Sequence, residues 1–149
     1  MLSDRLLLDN GQLFSEVAQL LEQGYSVTLR GKGNSMFPFV ADGRDSVVLQ
    51  KAEHVGVGDI VLAQVTERGY VLHRVYKAEG ERLTLMGDGN LRATERCRRE
   101  DVLGKVVRIL RNGRYVECSS FPERFKVECW RRLLPVRRYL LFVCRRCFK

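Results

Sequence analysis

Hydrophobic residues recur along this chain with two different periods. Over residues 12–23 the apolar positions fall on one face of a helix, and Gly24 follows where a helix commonly ends. The members of that face are Leu13, Val17, Leu20 and Leu21. From Tyr25 to Arg30 the period changes to two, with apolar and polar residues alternating. The pattern predicts a short amphipathic helix followed by a half-buried strand.

The middle of the chain consists of short runs of β-branched or aromatic residues. Most of the turns between these runs include a glycine. The runs are Ser46–Gln50, Asp59–Val65, Tyr70–Tyr76, Arg82–Met86, Val102–Leu110 and Arg114–Glu117. Asn112-Gly113 separates the last two, which is a strong hairpin signal. Strands at this spacing, with helices only near the ends, predict a mainly β fold built on a coiled, partly barrel-like sheet.

The chain changes character at about Arg124. Apolar and aromatic residues there alternate with arginines, and Pro135 interrupts the pattern. We expect one or two short amphipathic basic helices, because proline breaks a helix interior. The prediction is therefore a β domain over residues 1–123, including the N-terminal helix, and a basic helical tail over residues 124–149.

Charge separates these two parts of the chain. Residues 131–149 hold seven basic residues and no acid, whereas residues 1–130 hold 19 basic and 18 acidic residues. The 149 residues are 45% hydrophobic and 30% charged, which suits one domain with a sizeable core and excludes global disorder. A nearly neutral body with a basic appendage argues against a nucleic-acid-binding domain, whose charge would spread over one face.

The basic tail is open to four interpretations. It is suited to lying on anionic lipid, to binding a partner, or, third among these, to contacting nucleic-acid phosphates. In the fourth interpretation the tail packs its apolar face on the domain, and the sequence favours this as much as the other three combined. The sequence has neither a secretory leader nor a run of 18 apolar residues, so we expect a cytoplasmic protein, with peripheral contact at the inner membrane surface as an option.

The candidate chemistry begins at Gly33-Asn34-Ser35-Met36-Phe37-Pro38. A serine in a glycine-rich turn is usually only a turn former, but here an ordered series of further motifs follows. They are Asp42-Gly43, Val57-Gly58-Asp59-Ile60-Val61, Leu72-His73-Arg74-Val75, Met86-Gly87-Asp88-Gly89-Asn90 and Asp101-Val102-Leu103-Gly104-Lys105-Val106-Val107.

This series, over about residues 25–110, resembles the type I signal peptidases and the related LexA-like self-cleaving repressors. The resemblance implies that Ser35 is the nucleophile of an S-M-x-P motif. It also implies that His73, within an H-R-V pattern, replaces the more usual lysine base, as in the archaeal and endoplasmic-reticulum type of signal peptidase. Asn34, Met36 and Pro38 are then expected to contribute to substrate or oxyanion binding.

Two acids are candidates to orient the histidine. Asp88 lies in Gly87-Asp88-Gly89-Asn90, which is similar to the family's first acidic segment, and Glu95 lies where the triad acid is expected but in a shifted register. Gly33 replaces a serine that often assists the oxyanion, so backbone N–H groups, most simply that of Ser35, would form the oxyanion hole.

The residue types suit nucleophilic catalysis. A serine hydroxyl needs a base within reach, and histidine serves near neutral pH. The sequence thus predicts a serine endopeptidase acting on a peptide or protein, without a cofactor. Two histidines and five scattered cysteines, including Cys144 and Cys147, do not have zinc-ligand spacing. The alternative is a non-catalytic or self-cleaving LexA-like regulatory or binding module.

Overall fold

The computed structural model describes residues 10–31, 35–65 and 69–147. Its helices are α1 (Asn10–Glu22), α2 (Phe121–Arg132) and α3 (Arg137–Cys147). Its strands are β1 (Val27–Arg30), β2 (Ser46–Gln50), β3 (Ile60–Gln64), β4 (Tyr70–Glu79), β5 (Arg82–Met86), β6 (Glu95–Arg98), β7 (Val102–Arg111) and β8 (Arg114–Glu117). The mainly β prediction, with helices near both ends, is confirmed.

The eight strands form one antiparallel sheet in the order β1-β2-β7-β3-β4-β5-β6, with β8 paired to β7. The register shifts between Val48 and Leu49, between Leu62 and Ala63, and between Val75 and Lys77. Irregularities of this kind bend a strand and increase its twist. The sheet accordingly curls into a half-barrel, as the coiled-sheet prediction required.

Both faces of the sheet are covered, which explains why β3 is buried at four successive positions. On one face α1 contributes Val17 and Leu21 to a core that includes Leu62 and Ile109. A second core on the opposite face contains Val61, Val75, Leu83, Leu85 and Cys97. Residues adjacent on β4 therefore face two different environments.

The tail forms two helices that pack against the domain. A 3-10 turn, Leu134–Val136, separates them and contains Pro135, as predicted from the sequence. α2 begins at Phe121, before the expected start at 124, because Pro122 at its first turn suits a helix N-terminus. Trp130 and Leu141 join a third core with Phe37, Phe39 and Ala41. The division into 1–123 and 124–149 stays a prediction, although α2 crosses that boundary.

One strand was not expected from the sequence. β6 has the sequence Glu-Arg-Cys-Arg, so three of its four residues are charged and its apolar alternation is hidden. It lies at the end of the sheet, where only Cys97 needs to be buried. None of the helices in the described part of the chain has the length and apolarity needed to cross a membrane.

Candidate active site

Two neighbouring basic residues on β4 each meet an acid, on opposite faces of the sheet. His73 is 7% exposed, and its Nδ1 atom contacts Oε1 of Glu95. Arg74 is 8% exposed and pairs with Asp88. Because successive side chains of a strand point to opposite faces, the two pairs are separated by the sheet itself.

Strand register brings Glu95 to His73. Glu95, the first residue of β6, lies opposite Leu85 of β5, which in turn lies opposite Val75 of β4. His73 lies two residues before Val75 and thus on the same face. The unexpected strand β6 is therefore the element that delivers the acid, and the shifted register of Glu95 in the sequence does not prevent the contact.

The Arg74–Asp88 pair is buried and bidentate. Nε and Nη2 of Arg74 donate to the two carboxylate oxygens of Asp88 at 2.8 and 2.7 Å, and Nη1 donates to the carbonyl of Gly58 at 2.7 Å. The guanidinium also lies 4.9 Å from the ring centre of Phe39. Burial opposes the charge, but the attraction and hydrogen bonds of Asp88 outweigh it and raise the pKa of Arg74.

Ser35 is held against the loop that follows β5. The backbone N–H of Gly89 donates to the carbonyl of Ser35 at 2.8 Å. A Cβ atom on Gly87 would clash with that same carbonyl oxygen, so only glycine permits this approach. Gly87 directly follows Met86, which lies opposite Arg74 in the β4–β5 register. The backbone of Ser35 is thereby held beside the end of β5 that neighbours His73.

The other predicted site residues lie in different surroundings. Met36 is buried in the core beneath α1, and its carbonyl accepts a bond from the N–H of Val40 at 2.9 Å. Pro38 is half-buried and lines a cleft of about 550 Å³ beside α2. Asn34, like Gly33, lies outside the described residues.

Two residues of the C-terminal helices support this site, and sequence reasoning did not find them. Trp130 Nε1 donates to the carbonyl of Asp88 at 2.9 Å, and Arg137 Nη1 donates to the carbonyl of Asn90 at 3.2 Å. Arg137 is 3% exposed and stacks over Trp130. Burial lowers its pKa, although the charge of Asp88 opposes that effect. A buried arginine within a basic segment carries no sequence signal that separates it from its exposed neighbours.

Within residues 10–31, 35–65 and 69–147, no group of three or more histidine, cysteine, aspartate or glutamate residues is arranged to hold a metal ion. The charged groups of the site instead pair with one another. The arrangement offers a histidine in contact with a carboxylate of β6, and a serine whose carbonyl is bonded to the loop that follows β5. These are residue types that acyl-transfer chemistry uses.

A curled antiparallel sheet that carries Ser35 in a loop beside β4 and β5 is the architecture of the serine peptidase clan that includes LexA and the signal peptidases. The chain belongs to the Peptidase S24-like family, whose model matches residues 8–107. No curated protein matches the chain significantly. The C-terminal helices lie beyond the residues that the family model matches.

Proposed function

We propose that this protein is a serine endopeptidase of the Ser–His subtype, similar to the archaeal and endoplasmic-reticulum type of signal peptidase. The observation that carries the proposal is the partly buried contact between His73 Nδ1 and the Glu95 carboxylate. Membership of the Peptidase S24-like family supports the peptidase class.

We assign the roles of the two imidazole nitrogens from the contact with Glu95. A carboxylate accepts from Nδ1–H, which leaves Nε2 as the basic nitrogen. In the proposed reaction Nε2 takes the proton of the Ser35 hydroxyl as its oxygen attacks the peptide carbonyl. His73 then gives that proton to the leaving amine, and an acyl-enzyme remains on Ser35. Water, deprotonated by His73, hydrolyses the acyl-enzyme and restores the serine.

Glu95, rather than Asp88, is the acid that we assign to His73. Both carboxylate oxygens of Asp88 accept bonds from Arg74, on the opposite face of the sheet. Asp88 acts as a positioning residue instead, because its loop includes Gly87 and Gly89, which contact the carbonyl of Ser35. The oxyanion would be bound by backbone N–H groups, with that of Ser35 as the first candidate.

The substrate of such an enzyme is a peptide or protein chain bound in an extended form. Peptidases of this type take the substrate as an added strand beside the site, with small side chains next to the scissile bond. Main-chain hydrogen bonds then supply affinity, and pockets for the side chains next to the scissile bond supply selectivity. Of the two predicted substrate residues that follow Ser35, Pro38 is half-buried beside a cleft and stays accessible, whereas Met36 is buried in the core.

An active-site-directed fluorophosphonate tests the proposal directly. We expect the reagent to acylate Ser35, as mapped by mass spectrometry, and His73→Gln to reduce labelling by at least a hundredfold. His54→Gln is the matched control, since His54 is the only other histidine and is exposed. Normal labelling of the His73 variant would contradict the proposed dyad.

A second assay separates the enzyme from the regulatory alternative. Extended peptides with alanine around the cleavage site are incubated with the full chain and with its Ser35→Ala variant. Turnover of many peptides per protein molecule, lost in the variant, supports an endopeptidase acting in trans. One cut per molecule within the protein itself would favour the self-cleaving module.

A further inference from the structure

We propose that α3 docks the protein on an anionic lipid bilayer through the face turned away from the domain. The members of this outer face are Tyr139, Phe142, Val143 and Arg146. The exposed fractions of Tyr139, Phe142 and Val143 are 59%, 60% and 55%. Three large apolar side chains that follow one another at helical spacing are thus each more than half exposed.

The domain already uses the opposite side of α3. Arg137 and Leu141 are buried, and Leu140 and Cys144 pack partly against the same third core. With 3.6 residues per turn, these positions centre on the side of the helix opposite Phe142 and Val143. A helix that is apolar on both sides needs two covering surfaces, and the described residues supply one of them.

The charge of the outer face indicates which kind of surface covers it. Arg138 and Arg145 are exposed along one edge of the outer face, Arg146 lies within it, and residues 131–149 contain no acid. A second copy docking here face to face would bring arginines against arginines. An anionic bilayer instead satisfies both properties at once, since the aromatic rings enter the headgroup region while the arginines meet phosphates.

The local contacts of the aromatic rings suit an interfacial position. The Arg138 guanidinium lies 4.8 Å from the ring centre of Tyr139 and donates to its hydroxyl at 3.0 Å. The Arg146 guanidinium lies 5.4 Å from the ring centre of Phe142. Amphipathic side chains with an apolar body and a polar tip are enriched where hydrocarbon meets water.

Docking through α3 would fix the distance between the bilayer and the candidate site. The inner face of α3 packs on the segment containing Phe37 and Ala41, which directly follows Ser35. A helix with its side chains is about 10–12 Å across, so the Ser35 loop would lie about one helix diameter from the lipid surface. This step rests on the proposed peptidase function. If Ser35 is the nucleophile, its distance from the lipid means that the substrates are peptide segments close to the membrane surface.

Vesicle co-sedimentation of the full chain tests the lipid surface. We compare vesicles of phosphatidylcholine with vesicles that also contain phosphatidylglycerol. Binding should require the anionic lipid and fall as salt rises, because surface charge is screened over about 8 Å at physiological ionic strength. Replacing Arg138, Arg145 and Arg146 by glutamine should weaken binding by about a hundredfold, at about 1 kcal/mol for each charge.

Two matched controls accompany these variants. Replacing Lys51, Lys77 and Arg114 by glutamine removes the same charge from other exposed positions, and should change binding far less. Phe142→Ser with Val143→Ser should weaken binding at least tenfold, whereas Phe121→Ser with Phe125→Ser, an exposed aromatic pair at the start of α2, should not. Far-ultraviolet circular dichroism confirms that each variant folds.

Bromine-labelled lipids report insertion independently of the variants that lose binding. Trp130 is the only tryptophan, is 9% exposed, and should not be quenched by the bromines. A tryptophan introduced by Phe142→Trp should be quenched on anionic vesicles. Absence of that quenching would overturn the proposal. Equal binding to neutral and anionic vesicles would do so as well.

The same experiments would also detect two other partners for the outer face of α3. Preferential binding to duplex DNA, or a dimer that Phe142→Ser dissolves in the absence of lipid, would replace the lipid proposal. The Ser35→Ala variant should bind vesicles normally, so vesicle binding does not depend on the proposed peptidase chemistry. Conversely, the outer-face variants should cleave soluble peptides normally.

Discussion

His73 and Arg74 are adjacent on one strand, and each contacts one carboxylate, yet the two pairs differ in every other respect. The Arg74–Asp88 pair is bidentate, is buried at both ends, and is completed by the carbonyl of Gly58. The His73–Glu95 pair uses a single contact, and the Glu95 side chain is 23% exposed. A saturated pair fixes structure, whereas a pair with one ring nitrogen engaged leaves the other for proton transfer.

The largest effect on catalysis is expected from Glu95→Gln. The amide cannot hold the imidazole and its developing charge as a carboxylate does, so kcat for peptide cleavage should fall by about 10³–10⁴-fold. The free energy of unfolding should change by less than about 1 kcal/mol, because the pair is partly exposed. Initial-rate kinetics and urea unfolding measure the two quantities, and Glu79→Gln, at an exposed position of β4, is the control. A large loss of stability with little loss of rate would reverse the assignment.

Asp88→Ala should produce the opposite result. It leaves the Arg74 charge buried without its carboxylate, which costs about 3–5 kcal/mol of unfolding free energy. Urea denaturation measures the change, with the exposed Asp42→Ala as the control. Activity per folded molecule should fall less than in Glu95→Gln. An Asp88 variant as stable as the parent would show that Arg74 finds another partner.

One thiol lies near each of the two pairs, so thiol reactivity reports on the two faces of the sheet separately. Cys97 lies on β6 two residues after Glu95, and Cys118 interacts electrostatically with Arg74. Burial raises the pKa of each thiol to about 11. At pH 8 each should react with iodoacetamide about a hundredfold more slowly than an ordinary thiol with a pKa of about 8.5, since only thiolate is nucleophilic.

Mass spectrometry at timed intervals follows each site separately. Cys147, which is exposed, serves as the internal reference in the same molecule. In Asp88→Ala the reaction of Cys118 should accelerate more than that of Cys97. Equal acceleration at both thiols would mean that the two faces of the sheet loosen together.

The smallest expected effect comes from Trp130→Phe. The substitution keeps an aromatic ring in the third core but removes the donor to the Asp88 carbonyl, at a cost of about 1–2 kcal/mol of unfolding free energy. Guanidinium denaturation measures it, and Tyr139→Phe, an exposed aromatic change on α3, is the control. No measurable change would mean that water or another group replaces the indole.

Sequence patterns located the strands that are β-branched or aromatic runs, and β2, β5 and β8 have the predicted bounds. They missed β6 because three of its residues are charged, although Glu95-x-Cys97 is a two-residue alternation in hindsight. Spacing alone left both Asp88 and Glu95 as candidates, Asp88 in a matching segment and Glu95 in a shifted register, because their partners depend on strand register and on which face each side chain takes. The contribution of Arg137 was beyond sequence reasoning, since its burial depends on the docking of a helix.

The position of β7 also has a consequence for the timing of folding during synthesis. β7 lies between β2 and β3, so the strands that precede it cannot join into one sheet until residues 102–111 have been made. At translation rates of about 5–20 residues per second, β2 waits roughly 3–10 s for this partner. Ser35 lies in the segment that precedes β2 and His73 lies on β4, so β7 separates their segments in the strand order. A nascent chain therefore carries both residues for several seconds before the sheet that brings their segments together can close.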